Sequence, residues 1–264
     1  GSYMTVGGKS RLFEDFLGGR WVSQVQGNMA LESGSFFSNV GLERVFTVEA
    51  ANSDVFFGVW WDYDDDQQGS FGHTFNQIGV SGGIKSELYD VYANGYLPSG
   101  STSYTQGDIT GNSVFFANSV VTQAGIDSAL EGFDFHIVSR PQQLAFMNTY
   151  VDVGGYAYGS DVVDTFAGFS LGGGIQTLRG MGLGIQVNHD SRFEWTGALQ
   201  VAWEFGARGA RTEYSPLGRD LEPTRRNDHI VRFQQETLLA LDPDTGDDYV
   251  VFHVDNEADA GGDG

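Results

Sequence analysis

Asp62, Asp64 and Asp66 have the alternate spacing with which a Ca²⁺ loop opens. Such a loop needs Gly at its sixth position and Glu at its twelfth. Gln67 and His73 stand there, so a solvated turn is the better reading. Gly8-Lys9-Ser10 matches the end of a phosphate loop, but Tyr3 occupies the place of its first glycine. His73, His136, His189, His229 and His253 are scattered singly, without the i, i+4 spacing of a metal site. No Ser–His–Asp set or glycosidase carboxylate pair can be argued from spacing. The chain has no Cys, which excludes disulfides, thiolate metal sites and thiol catalysis. The residues point to no enzyme, no metal and no cofactor.

The polar residues instead follow a rhythm. Between Phe56 and Pro98 lie three runs that alternate apolar and polar sets. In the first, Val55, Phe57, Val59, Trp61 and Tyr63 oppose Gly58 and Asp62. In the second, Ile78, Val80 and Ile84 oppose Gln77, Gly79, Ser81 and Gly83. In the third, Val91, Ala93 and Leu97 oppose Asp90, Tyr92, Asn94 and Tyr96. Period two predicts strands with one apolar and one polar face. Each run has the length of about 9–11 residues that a tilted strand needs to cross a bilayer.

Composition narrows the partners. Of 264 residues, 35 are acidic and 14 basic, a net charge of −21, and Lys9 and Lys85 are the only lysines. That balance argues against nucleic acid and against a polybasic membrane anchor. No apolar run is long enough for a transmembrane helix. The mean hydropathy of −0.23 suits a soluble protein or a barrel with a polar lumen. Gly1-Ser2-Tyr3-Met4 reads as a remnant of cloning, so export is left open.

The alternation starts at Trp21, with Val25 and Met29 against Gln24, Gln26 and Asn28. It continues through 36–48 and the central triplet. Residues 99–112 read as a long loop and 114–122 as an irregular strand. Further strands follow over 133–137, 145–156, 166–176, 181–190 and 196–205. The expected fold is all-β: an antiparallel up-and-down transmembrane β-barrel of about 12 strands. Residues 1–20 form a weakly patterned N-terminal segment and 21–206 the barrel. Residues 207–235 carry half the arginines and lose the alternation, which marks a connector; 236–264 read as the start of a truncated passenger.

Several segments bear a family resemblance. VWWDYD (59–64), NQIGVSGGIKS (76–86) and YANGYLPSG (92–100) resemble the outer-membrane β-domain of intimin and invasin, the inverse autotransporters. GFDFHI (132–137) followed by Arg140-Pro141, and RRNDHIVRFQQ (225–235), resemble later segments of that domain. The resemblance covers roughly residues 35–235. It departs from the family in its N-terminal part, in lacking a LysM-like module, and in showing no Ig-like repeat after the barrel. It implies a twelve-stranded monomeric barrel in the bacterial outer membrane, with the connector inside the pore. A C-terminal passenger would be carried through to the cell surface. Its partners would be the bilayer, the barrel-assembly machinery, periplasmic chaperones and the passenger.

On that reading the lumen collects Glu43, Asp62, Gln77, Asp90, Asn94, Asp134, His136, Gln186, Gln200 and Glu204. Arg225, Arg226, Asn227 and Arg232 of the connector plug it, their guanidinium groups facing the carboxylates. Trp21, Trp61, Tyr63, Tyr96, Trp195 and Trp203 are the expected aromatic girdle, with Trp60 beside them. Two alternatives stay open: a porin-like channel for small solutes, and a secreted soluble β-rich module binding carbohydrate through its aromatics.

Overall fold

A computed structural model describes residues 2–14, 18–31, 33–65, 72–106, 113–116, 119–122, 125–141, 149–176, 181–203, 222–235 and 238–239. The strands are β1 (Tyr3–Phe13), β2 (Arg20–Ala30), β3 (Phe36–Val48), β4 (Ser53–Asp65), β5 (Thr74–Lys85) and β6 (Tyr89–Ser99). Then come β7 (Ser103–Gln106), β8 (Ser113–Phe116), β9 (Ser119–Thr122), β10 (Gly125–Ala129) and β11 (Glu131–Ser139). The last are β12 (Tyr150–Ser160), β13 (Val163–Gln176), β14 (Met181–Asp190), β15 (Glu194–Trp203), β16 (Arg232–Gln235) and β17 (Leu238–Leu239). The protein is all-β and antiparallel.

One sheet of 11 strands dominates, in the order β1-β2-β3-β4-β5-β6-β11-β12-β13-β14-β15. Chain neighbours pair throughout, except where β7 to β10 leave the sheet between β6 and β11. Two three-stranded sheets, β16-β10-β7 and β17-β9-β8, complete the described strands. The chain divides into two compact units, residues 1–102 with 128–232, and residues 103–127 with 233–264.

Three expectations change. Residues 3–13 form β1, paired with β2 from Tyr3↔Ala30 to Phe13↔Trp21, although they read as weakly patterned. Gly7, Gly8, Lys9 and Ser10 dilute the apolar set there, and backbone pairing holds the strand regardless. The loop expected over 99–112 contains β7, and the irregular strand over 114–122 is a hairpin, Val114↔Val121. Tight connections close adjacent strands: between β3 and β4, Asn52 takes φ 44 and its N–H donates to the Glu49 carbonyl at 3.0 Å. Asn tolerates that left-handed backbone better than most residues.

Burial in the large sheet is the reverse of a water-soluble one. On β4, Phe57, Val59 and Trp61 are 61%, 58% and 47% exposed, while Phe56, Trp60 and Asp62 are each 1% exposed. Ile78 and Val80 on β5, Leu97 on β6, and Phe133, Phe135 and Ile137 on β11 are also exposed. Their alternates Gln77, Ser81, Asn94 and Asp134 are buried. Register keeps the two sets apart across strands: Val59 pairs with Leu42 and Val80, and Asp62 with Asn39 and Gln77. A one-residue slip would exchange the faces of a strand. The buried face also has an apolar layer, Val22, Val45, Phe56, Tyr92 and Val138, with Tyr150 packed on it.

Candidate connector-binding site

The buried face is covered by the connector, Glu222 to Arg232. At its start, Lys9 Nζ on β1 donates to the Glu222 carbonyl at 3.0 Å and to Thr224 Oγ1 at 3.2 Å. The same ammonium lies 2.5 Å from Glu43 on β3, with both side chains at most 4% exposed. The Thr224 hydroxyl donates to the other oxygen of Glu43. Arg140, just after β11, donates to Asp90 on β6 and reaches Glu222 Oε2 at 3.3 Å. Lys9, Glu43 and Arg140 thus tie Glu222 and Thr224 to β1, β3 and the end of β11, with Arg140 held in turn by Asp90 on β6.

Arg226 follows, its side chain 0% exposed. Nη1 and Nη2 donate to the two oxygens of Asp62 on β4 at 2.8 and 2.5 Å, a bidentate pair. The guanidinium lies over the Trp60 ring at 4.7 Å and near the Tyr96 ring at 5.5 Å. Its Nε is buried without a hydrogen-bond partner among the described residues, and the ring contacts supply compensation there. Asp62 is held from both sides: Asn39 Nδ2 donates to Oδ1 at 2.8 Å and Gln77 Nε2 to Oδ2 at 3.1 Å. Two glycines make the space. A Cβ on Gly79 would sit 2.7 Å from Arg226 Nη2, and one on Gly41 would enter the Trp60 ring at 2.1 Å.

The strands of the large sheet also hold the connector backbone. Asn94 Nδ2 donates to the Arg225 carbonyl at 2.9 Å, and Asn39 Nδ2 to the Asp228 carbonyl at 2.8 Å. Tyr96 Oη accepts from the Asn227 N–H at 2.7 Å while donating to Asp134 at 2.6 Å. Gln26 donates to the Asp228 carboxylate at 3.1 Å. His229 packs between the Phe37 and Tyr3 rings, at 3.9 and 4.8 Å. Arg225 lies 4.0 Å from Asp152 on β12 and 4.2 Å over Tyr150; Arg232 lies 3.7 Å from Asp64 and 4.9 Å over Phe75.

These contacts fix the curvature of the sheet. Thr224 touches groups on β1 and β3, and Arg225, the next residue, touches β12. In a flat sheet β1 and β12 lie seven strand spacings apart, about 34 Å. Adjacent residues are ~3.8 Å apart, and their side chains cannot span the difference. The sheet therefore curls around the connector, polar face inward.

The expected site residues separate accordingly. Glu43, Asp62, Gln77, Asp90, Asn94 and Asp134 are buried on the connector side, with His136 half-buried there and bonded to Asp152 at 3.0 Å. Gln186 on β14 pairs with Ala198, and Gln200 on β15 pairs with Gly184, so the two share a face; both are exposed, and Glu204 lies outside the described residues. Of the connector residues, Arg226 meets an expected carboxylate. Arg225 and Arg232 turn to Asp152 and Asp64, which the lumen set had omitted. Trp61 and Trp195 are exposed on the outward face, and Trp21 and Tyr63 are half-buried there. Tyr96 is a correction: it is 2% exposed on the inward face, because its hydroxyl bridges Asp134 and the connector. Trp60 likewise turns inward, under Arg226. The side chain of Trp203 lies outside the described set. Lys9, Asn39, Arg140 and Thr224 were missed. The parity of Asn39 with Glu43 was the available signal for one of them.

No family model and no curated protein matches the chain. A solved chain described under "Unveiling the Mechanism Behind the in-meso Crystallization of Membrane Proteins" is similar in structure. Its TM-score is 0.58 at 12% identity, over 89% of this chain and 100% of that one. At that identity the likeness speaks to fold alone.

Proposed function

We propose that the chain is an outer-membrane β-barrel of the inverse-autotransporter type, which anchors and exports a C-terminal passenger. One observation carries the reading: the apolar set of the sheet is exposed and the polar set is buried around a connector. In water, so large an apolar surface would aggregate; in a bilayer it is the required exterior. From Val55 to Tyr63 the outward set of β4 spans about 26 Å along the strand, or about 20 Å along the normal at a ~40° tilt. That height is close to the apolar band of outer-membrane barrels. Curling of the sheet brings its two edges toward each other, and closure removes the unpaired edge that a bilayer does not tolerate.

In this reading the work is mechanical. The strands insert with the help of assembly machinery and chaperones. The passenger follows the connector through the polar interior. The connector then stays as a plug, ion-paired to the wall, and the barrel acts as a monomeric anchor. A solute channel is favoured by one feature, the exposed polar Gln186 and Gln200, which leave part of the inward face uncovered.

The test is expression with an export signal and an epitope tag after Gly264, followed by fractionation and protease treatment of intact cells. A membrane-bound protein whose tag is shaved supports export. A membrane-bound protein with a protected tag supports a channel. A protein that stays folded and soluble without detergent defeats both.

A further inference from the structure

The strands around Arg226 form more than an ion pair. They make a slot with every feature of a receptor for a planar cation. Asp62 presents its two oxygens to the two terminal nitrogens of the fork, at 2.8 and 2.5 Å. Asn39 and Gln77 donate to those same oxygens from the neighbouring strands, so the carboxylate is oriented by the sheet itself. Trp60 and Tyr96 supply ring faces at 4.7 and 5.5 Å. Gly41 and Gly79 are required by the space that the indole and the guanidinium occupy. Lysine would fill this slot poorly: its ammonium offers no planar fork and is more strongly hydrated.

The slot is also indexed to the backbone. Asn94 binds the carbonyl of Arg225, Tyr96 the N–H of Asn227, and Asn39 the carbonyl of Asp228. Asn39 and Tyr96 therefore take part both in the slot and in holding the chain that delivers the arginine. An extended chain moving across this face would be recognised when an arginine arrives with its flanking peptide groups in register.

We propose that the Trp60–Asp62–Tyr96 slot is an arginine-specific stop site, a guanidinium receptor in the barrel wall that arrests the exported chain at Arg226. The inference rests on the translocator reading and names the ligand and the regulation of its site. Before Arg226 arrives, the slot is open to any extended segment. Once filled, it holds the connector in place and sets how much chain lies beyond the barrel.

Chemical rescue tests it on the full-length protein, refolded in detergent. Arg226→Ala empties the slot while leaving the backbone contacts. Hydrogen exchange at the Asn227 amide then reports docking of the connector. Millimolar ethylguanidinium is expected to restore protection saturably, with at least about tenfold greater potency than ethylammonium at equal ionic strength. Asp62→Asn in the same chain should abolish the rescue. Equal potency of the two cations, no rescue, or rescue that survives Asp62→Asn would each overturn the proposal. The wild-type protein gives a second reading that needs no variant to fold. There ethylguanidinium should compete with Arg226 and speed exchange at Asn227, and ethylammonium should not; equal effects would also overturn the stop site. None of these outcomes depends on export, whereas failure of the translocator reading shows as absence from the membrane fraction.

Discussion

Replacing Asp62 by Asn should release the connector while leaving the sheet intact. The side chains of Arg226 and Asp62 are 0% and 2% exposed, so the substitution strands a buried guanidinium. Removing one partner of such a pair costs about 3–5 kcal/mol. Asn39 and Gln77 lose the acceptor they share, since the new amide offers one oxygen in place of two. At about 1.4 kcal/mol per decade, the docked state should weaken roughly 10²- to 10⁴-fold. Because Asp62 lies mid-strand with its backbone paired to Asn39 and Gln77, the ladder itself is unaffected. Two assays read the result. The Asn227 amide, bonded to Tyr96, should exchange faster by about the same factor. In planar bilayers, single-channel conductance should rise as the connector leaves the interior. A double-mutant cycle with Arg226→Met separates the pair from general damage, because the second substitution should then add little. Unchanged exchange and unchanged conductance in Asp62→Asn would refute the reasoning.

Four further outcomes follow from the same geometry. Gly79→Ala should displace Arg226 and cost about 1–3 kcal/mol of connector docking by overpacking, whereas Gly82→Ala, whose Cβ meets Phe57 at an ordinary 3.4 Å, should be silent in the same exchange assay. Val59→Arg should destabilise the bilayer-inserted protein by about 2–4 kcal/mol in a refolding titration into vesicles, while an exposed valine on a soluble protein would tolerate the change. Arg140→Ala should uncouple Asp90 from Glu222 and raise proteolysis near residue 222, read by mass spectrometry of the fragments. In single-tryptophan variants, brominated lipid should quench Trp61 and Trp195 but spare Trp60, which faces the connector.

The repeating unit of the fold is legible in the sequence because strand parity is local. Val55, Phe57, Val59, Trp61 and Tyr63 announce both the strand and its outward face. Parity also predicts Asn39 beside Glu43 once the inward set is known. Non-local pairing is another matter. Nothing in Ser103–Gln106 or Gly125–Ala129 shows that β7 and β10 leave the large sheet, since the partner of β10 is β16, over a hundred residues away. Aromatics with a polar end resist assignment as well. Tyr96 and Trp60 fit a girdle by type, and it is Asp134, Asn227 and Arg226 that draw them inward. That arginines of the connector would meet carboxylates follows from charge. Which carboxylate each meets depends on curvature, and so Arg225 finds Asp152 and Arg232 finds Asp64.

The chain contains no cysteine, which makes one scan decisive. Single cysteines placed in turn from Phe56 to Tyr63, in protein reconstituted into vesicles, can be offered a membrane-soluble and a membrane-impermeant thiol reagent. Positions 57, 59 and 61 should react with the membrane-soluble reagent alone, while 56, 58, 60 and 62 resist it. Labelling of 57, 59 and 61 by the water-soluble reagent, or loss of the alternation, would contradict a sheet that turns its apolar face to lipid and its polar face to the connector.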